Sequence, residues 1–60
     1  MMIYETDGLI QYHRYGTNAG YKVALQVCAA VGQAKFEQLE REIGILEIIR
    51  RAPELIGMSA

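Results

Sequence analysis

The fold is decided by residues 18–53, which read NAGYKVALQVCAAVGQAKFEQLEREIGILEIIRRAP. Within this stretch, apolar or small residues follow one another at steps of 4, 3, 4, 4, 3, 4 and 3. These steps average close to the period of about 3.6 residues of an α-helix and therefore place the residues on one helix face. We call this set the apolar stripe, and its members are Tyr21, Leu25, Cys28, Gly32, Phe36, Leu39, Ile43 and Leu46. The chain is therefore predicted to be mainly α-helical.

The predicted helical region covers residues 19–51. Asn18 is a favoured N-cap residue, because its short side chain can accept a hydrogen bond from a free amide of the first turn. At the other end, Arg50-Arg51 complements the negative end of the helix dipole. Pro53 ends the helix, since the residue before a proline is pushed out of the α region. Residues 53–60 are predicted to form a C-terminal tail.

Two glycines interrupt the helical region, and they leave two arrangements open. Gly32 and Gly44 each cost about 1 kcal/mol relative to alanine inside a helix. Because the stripe keeps its phase through Gly32, we predict one long or glycine-bent helix. The alternative is a helical hairpin in which Gly32 follows the last residue of the first helix and adopts a left-handed conformation.

The N-terminal part, residues 1–16, also has two alternatives. Asp7-Gly8 lies between two runs rich in Ile, Leu and Tyr, a pattern typical of a β-hairpin. Alternatively, Thr6 caps a short helix from Asp7 to Tyr15 that ends at Gly16. The sequence does not decide between the two.

The size of the chain indicates a single small domain, residues 1–60, that associates with a second copy. A domain of 60 residues buries only about 60% of its unfolded surface and depends on further stabilisation. The single cysteine, Cys28, excludes a disulfide within the chain, and Cys28 with His13 cannot complete a zinc site. No metal or cofactor is therefore expected. Since 52% of the residues are hydrophobic, we predict a homodimer in which the apolar stripe forms the interface.

Charge and hydropathy restrict the other partners. Six Lys and Arg against seven Asp and Glu give a net charge of −1, whereas chains that bind phosphate backbones usually carry a basic excess. No apolar run approaches the about 20 residues that span a bilayer. The first residues lack the basic and apolar regions of a secretory signal. These features disfavour nucleic acid, exclude the membrane and predict a cytoplasmic protein.

The sequence contains no recognisable catalytic set. A catalytic histidine needs an orienting acid and a nucleophile within reach, and Ser59, the only serine, lies at the penultimate position. The chain is therefore predicted not to be an enzyme. An aromatic and basic cluster in the N-terminal part is instead the candidate surface for an unidentified protein partner, and it consists of Tyr12, His13, Arg14 and Tyr15.

The leading functional hypothesis is a small non-catalytic protein–protein interaction module or regulator that acts as a homo-oligomer. The competing hypothesis is a compact dimeric DNA-binding regulator, in which Arg14 and Lys22 from both copies would contact DNA. In size the chain is similar to the small accessory proteins of temperate bacteriophages and plasmids, which often act by binding host or phage proteins. No residue motif carries this likeness.

Overall fold

The computed structural model describes residues 5–59, with side chains described from Glu5 to Gly57. This part of the chain consists of α-helices connected by very short turns, without a strand. In chain order the helices are α1 (Asp7–Tyr15), α2 (Asn18–Val31), α3 (Gln33–Glu42), α4 (Ile45–Arg50) and α5 (Ala52–Ser59). The predicted mainly helical class is thereby confirmed.

Helix α1 begins and ends where the short-helix alternative places it. The Thr6 hydroxyl accepts a hydrogen bond from the amide of Leu9 at 3.2 Å, and the Thr6 backbone is extended, as an N-cap requires. At the other end, the amide of Gly16 donates to the carbonyl of Tyr12 at 2.7 Å. The cap at Thr6 and the stop at Gly16 are therefore both confirmed.

The β-hairpin alternative is wrong at its turn. Asp7-Gly8 occupies the first turn of α1, because the Thr6 cap satisfies an amide of that turn and makes the helix the better local solution. The first strand of the predicted hairpin would have included Ile3 and Tyr4, which lie outside the described residues.

The N-cap of α2 is Thr17, one residue before the predicted Asn18. The Thr17 hydroxyl accepts from the amide of Gly20 at 3.1 Å, and its backbone is extended with φ −94° and ψ 149°. Asn18 is already the first helical residue. Both residue types are good caps, and the tight turn after α1 gives the position to the earlier one.

The predicted continuous or bent helix over residues 19–51 is wrong, because the chain breaks at Gly32. This residue has φ +93° and ψ 155°, a conformation that is essentially restricted to glycine. Its amide closes α2 by donating to the carbonyl of Cys28 at 2.9 Å, and its carbonyl accepts from Phe36 at 2.9 Å to open α3. The break that the hairpin alternative requires is confirmed.

A second break lies at Gly44, with φ +84° and ψ 159°. Its amide donates to the carbonyl of Glu40 at 3.1 Å, and its carbonyl accepts from Ile48 at 3.1 Å. Each glycine ends one helix and begins the next with almost no intervening residues. Because so few residues separate the helices, the apolar residues keep a helical spacing along the sequence across both breaks. The apolar stripe therefore has the spacing that one unbroken helix would have.

The segment predicted to be a C-terminal tail is helical. Helix α4 ends at Arg50, and α5 runs from Ala52 to Ser59 with Pro53 in its first turn. Proline lacks an amide hydrogen and its ring clashes with the carbonyl four residues earlier, so it interrupts a helix from within. The same residue is tolerated in a first turn, where the amide has no helical partner. Pro53 thus separates the two helices.

Helix α2 forms the centre of the fold and contacts each of the other four helices. The buried core takes side chains from all five helices, namely Leu9, Ala24, Val27, Cys28, Phe36, Leu39, Ile48 and Ala52. The Cα radius of gyration is 10.2 Å, close to the about 10 Å expected for a compact chain of this length. Within the described residues, none of the helices has the length and apolar character needed to cross a bilayer.

Candidate functional site

One flank of α1 is built to form the wall of a groove. Gly8, Gln11, Tyr12 and Tyr15 are spaced by three, one and three residues, which places them on the same side of a helix. Leu9 points into the core and is fully buried, so it holds α1 against the rest of the molecule. The orientation of this flank therefore follows from the anchoring of Leu9.

The groove lies between this flank and the start of α4. Its volume is about 580 Å³, and it is lined by Gly8, Gln11, Tyr12, Tyr15, Gly16, Thr17, Ile45 and Leu46. Two large side chains at its edge stay in solvent, since Tyr15 is 80% exposed and Leu46 is 71% exposed. Exposed apolar side chains beside an apolar depression mark a surface suited to binding another protein.

Tyr12 closes the end of the groove near the α1–α2 turn. Its ring packs directly on the backbones of Gly16 and Gly20, where an added Cβ atom would overlap the ring or its hydroxyl. The Tyr12 and Thr17 hydroxyl oxygens are 3.5 Å apart. Glycine at these two positions allows the close approach, so Tyr12 is half-buried and held in place.

The structure separates the four residues of the predicted partner surface. Tyr12 and Tyr15 line the groove. His13 instead stacks on Tyr21 of α2, with ring centroids 4.1 Å apart and an angle of 16° between the ring planes. Arg14 is exposed and is not part of the groove lining. Of the four residues, only Tyr12 and Tyr15 lie together at the groove.

The stacked Tyr21 is also linked to Glu5. Desolvation raises the pKa of the Tyr21 phenol, and its hydrogen bond to the Glu5 carboxylate raises the pKa further, because the negative charge disfavours a phenolate. His13, Tyr21 and Glu5 therefore connect the beginning of the described chain to α1 and α2. This arrangement is structural, and it explains why His13 is directed away from the groove.

The residues of the predicted oligomer interface fall into three environments. Cys28, Phe36 and Leu39 are buried in the core of a single chain, and Tyr21, Leu25 and Ile43 are half-buried against it. Gly32 is exposed at the break between α2 and α3. Leu46 is the one large apolar member of the stripe that remains exposed, and it lies at the groove.

A second depression, polar in character, adjoins the groove at Gly8. Its volume is about 320 Å³, and its lining consists of Thr6, Asp7, Gly8, Glu37, Glu40 and Arg41. The Oε1 atom of Glu40 is buried and has no hydrogen-bond partner among the described residues. Within the part of the chain that the structure describes, no three His, Cys, Asp or Glu side chains are grouped to hold a metal ion.

Cys28 occupies a protected position in α2. Burial raises the pKa of its thiol, and the nearby carboxylates of Glu40 and Glu37 raise it further by electrostatic repulsion of the thiolate. A protonated buried thiol behaves as a small hydrophobic side chain. Cys28 is therefore a core residue of the single chain.

Sequence reasoning missed several groove residues that a helical reading of the N-terminal part could have found. Gly8 and Gln11 share a helix flank with the two tyrosines, so choosing the helix over the hairpin would have grouped them. Ile45 has no comparable signal, because its place beside α1 depends on the break at Gly44.

Comparisons with known proteins do not add a family. No protein-family model matches the chain, and neither the curated proteins nor the solved structures contain a significant match.

Proposed function

We propose that this chain is a small non-catalytic interaction module that works as a homo-oligomer. The observation that supports this most strongly is the pair of exposed side chains, Tyr15 and Leu46, at the edge of an apolar groove of about 580 Å³. Apolar surface of this kind is favourable to bury and commonly serves protein contacts.

Self-association explains the groove better than a dissimilar partner does. A two-fold dimer uses the same patch on both copies, so that patch must be complementary to itself. Here a protruding element and a cavity lie side by side, since Tyr15 and Leu46 are exposed at the edge of the depression that they line. One copy can therefore offer the side chain that the other receives.

The proposed interface differs from the apolar stripe as a whole. Phe36 and Leu39 are covered by their own chain, so a second copy would contact the exposed end of the stripe at Leu46. This restricts the contact area to the α1–α4 side of the molecule. Small interfaces of this type are usually weak or transient, so we expect a dissociation constant in the micromolar range.

The experiment that tests this proposal compares Leu46→Glu with Ala30→Glu by light scattering over a range of protein concentrations. Both substitutions introduce one carboxylate at an exposed helical position, but Ala30 lies on α2 and is not part of the groove lining. We expect the wild-type chain and Ala30→Glu to reach twice the 6.7 kDa mass and Leu46→Glu to remain monomeric. A wild-type chain that stays monomeric throughout would overturn the proposal.

A titration with duplex DNA at low and moderate salt addresses the competing DNA-binding hypothesis. Arg14 and Lys22 are both exposed, so the two cations required by that hypothesis are accessible. Binding through phosphates releases counterions and weakens steeply as salt rises. A steep salt dependence that is lost in the variants Arg14→Ala and Lys22→Ala would favour the DNA-binding regulator over the interaction module.

A further inference from the structure

We propose that two copies pair through antiparallel packing of their α1 helices, with Asp7 of each copy facing Arg14 of the other and Tyr15 of each entering the groove of the other. This inference rests on the proposed self-association and specifies its geometry. The occupant of the groove is thus a second copy of this chain.

The solvent-facing side of α1 has the spacing that such packing needs. Asp7, Ile10 and Arg14 stand three and four residues apart, which places them on one face of the helix. All three are exposed, and Ile10 is 46% exposed although it is a large apolar residue. This face lies opposite the buried Leu9, so a second chain can approach it without disturbing the core.

The charges on this face complement each other in the antiparallel arrangement. Asp7 is in the first turn of α1 and Arg14 is in the last turn. A two-fold axis passing midway between them, beside Ile10, brings each Asp7 next to Arg14 of the second copy. Within the described part of the chain neither side chain forms an ion pair, and the ion pairs found there join Glu47 to Arg50 and Arg51. Parallel packing would instead place like charges together.

The same register directs Tyr15 into the groove. In antiparallel packing, each step toward the C-terminus of one helix is matched by a step toward the N-terminus of the other. Because Arg14 faces Asp7, Tyr15 of one copy lies opposite Thr6 of the other. Gly8, half a turn further on, lines the groove. A two-fold axis perpendicular to both helices places the groove flanks of the two α1 helices on the same side of the dimer. The exposed Tyr15 of one copy therefore meets the groove of the other copy at its edge near Gly8.

The test is a set of charge exchanges analysed by sedimentation equilibrium on the full chain. Asp7→Arg and Arg14→Asp each replace two attractive pairs with two repulsive ones, because the two-fold axis doubles every change. We expect each single variant to raise the dimer dissociation constant by about tenfold or more. The double variant Asp7→Arg/Arg14→Asp restores opposite charges across the interface and should return to within about threefold of wild type.

Two controls separate this geometry from other effects. Lys22→Glu makes the same change in net charge as Arg14→Asp, but at an exposed position on α2, and should leave dimerisation unchanged. The double exchange places charges unfavourably for the dipole of α1, so recovery of the dimer cannot come from a more stable helix. Dimers that are insensitive to the single exchanges, or not recovered in the double variant, overturn this geometry. If the geometry alone fails, Leu46→Glu still dissociates the dimer, whereas a monomeric wild type overturns the proposed function as well.

Discussion

The carboxylate of Glu40 lies against the backbone of Gly8, so close that a Cβ atom added at Gly8 would overlap Oε2. This contact joins α3 to the first turn of α1. An anion is favourable there, because the N-terminus of a helix carries a partial positive charge. The contact also forms the boundary between the apolar groove and the polar depression, since Gly8 lines both.

We expect Gly8→Ala and Glu40→Ala to be energetically coupled. In the Glu40→Ala background, alanine at position 8 should gain helix stability of up to about 1 kcal/mol. In the wild-type background the new methyl group displaces the carboxylate, so the gain should be smaller or reversed. Denaturant unfolding of the two single variants and the double variant gives the coupling energy. Strict additivity would contradict the contact.

The two glycine breaks should be sensitive to any side chain. Gly32→Ala and Gly44→Ala should each lower the free energy of unfolding by about 1–3 kcal/mol, because a residue with a Cβ atom is strained at these φ and ψ values. Neither site has a neighbouring atom within 4 Å of an added Cβ, so conformational strain is the only expected cause. Thermal or denaturant unfolding measures the loss.

Gly57→Ala is the matched control for these two variants. An added Cβ at Gly57 also meets open space, but this residue lies inside α5 and is not among the glycines with positive φ. We expect no loss, and a gain of up to about 1 kcal/mol from helix propensity. A loss at position 57 equal to that at positions 32 and 44 would show that strain is not the cause.

Two leucines of the apolar stripe should respond very differently to truncation. Leu39 is buried in the core and Leu46 is exposed at the groove. Leu39→Ala should cost about 2–5 kcal/mol through lost burial and an unfilled cavity. Leu46→Ala should change the stability of the monomer by no more than about 0.5 kcal/mol. Unfolding curves measured at a protein concentration where the chain is monomeric compare the two variants. Equal losses of unfolding free energy would mean that Leu46 belongs to the core.

The loss of folding stability at acidic pH should depend in part on Glu47. Its carboxylate accepts hydrogen bonds from Nε of Arg50 at 2.7 Å and from Nε of Arg51 at 3.1 Å. The hydrogen bond from Arg50 is the largest cause of its lowered pKa, and the one from Arg51 adds to it. A lowered folded-state pKa contributes stability above the unfolded value of about 4.3 and loses it as the pH falls through the folded value.

Glu47→Gln should therefore flatten the fall in melting temperature below about pH 4.3. The difference between the two chains should disappear once the pH lies below the folded-state pKa of Glu47, where wild type and variant are both uncharged at this position. The effect is small, since exposed ion pairs contribute little to stability. Glu42→Gln, at an exposed position of α3, is the control. Identical acid profiles for wild type and Glu47→Gln would contradict the role of the two arginines.

Local sequence predicted the helical class, and it predicted the bounds of α1 as one of two alternatives for the N-terminal part. The residues that cap and end that helix, Thr6 and Gly16, act on amides and carbonyls within one turn of themselves, so the surrounding sequence places the two ends of α1 once the helix is chosen over the hairpin. The helical spacing of the stripe likewise identified Phe36 and Leu39 as residues that must be buried, because an apolar face at this period needs a covering surface. Their burial did not require knowledge of which surface covers them.

Tertiary structure alone decided which surface covers Phe36 and Leu39. Gly32 and Gly44 can lie inside a helix or end one, and the two states differ by little in local energy, so packing of the separated helices around α2 determines the outcome. Once the chain folds back, its own helices cover Phe36 and Leu39, and only the end of the stripe at Leu46 remains exposed. The groove exists because these breaks bring α4 beside α1, and residues so far apart in sequence meet through the packing of the whole chain.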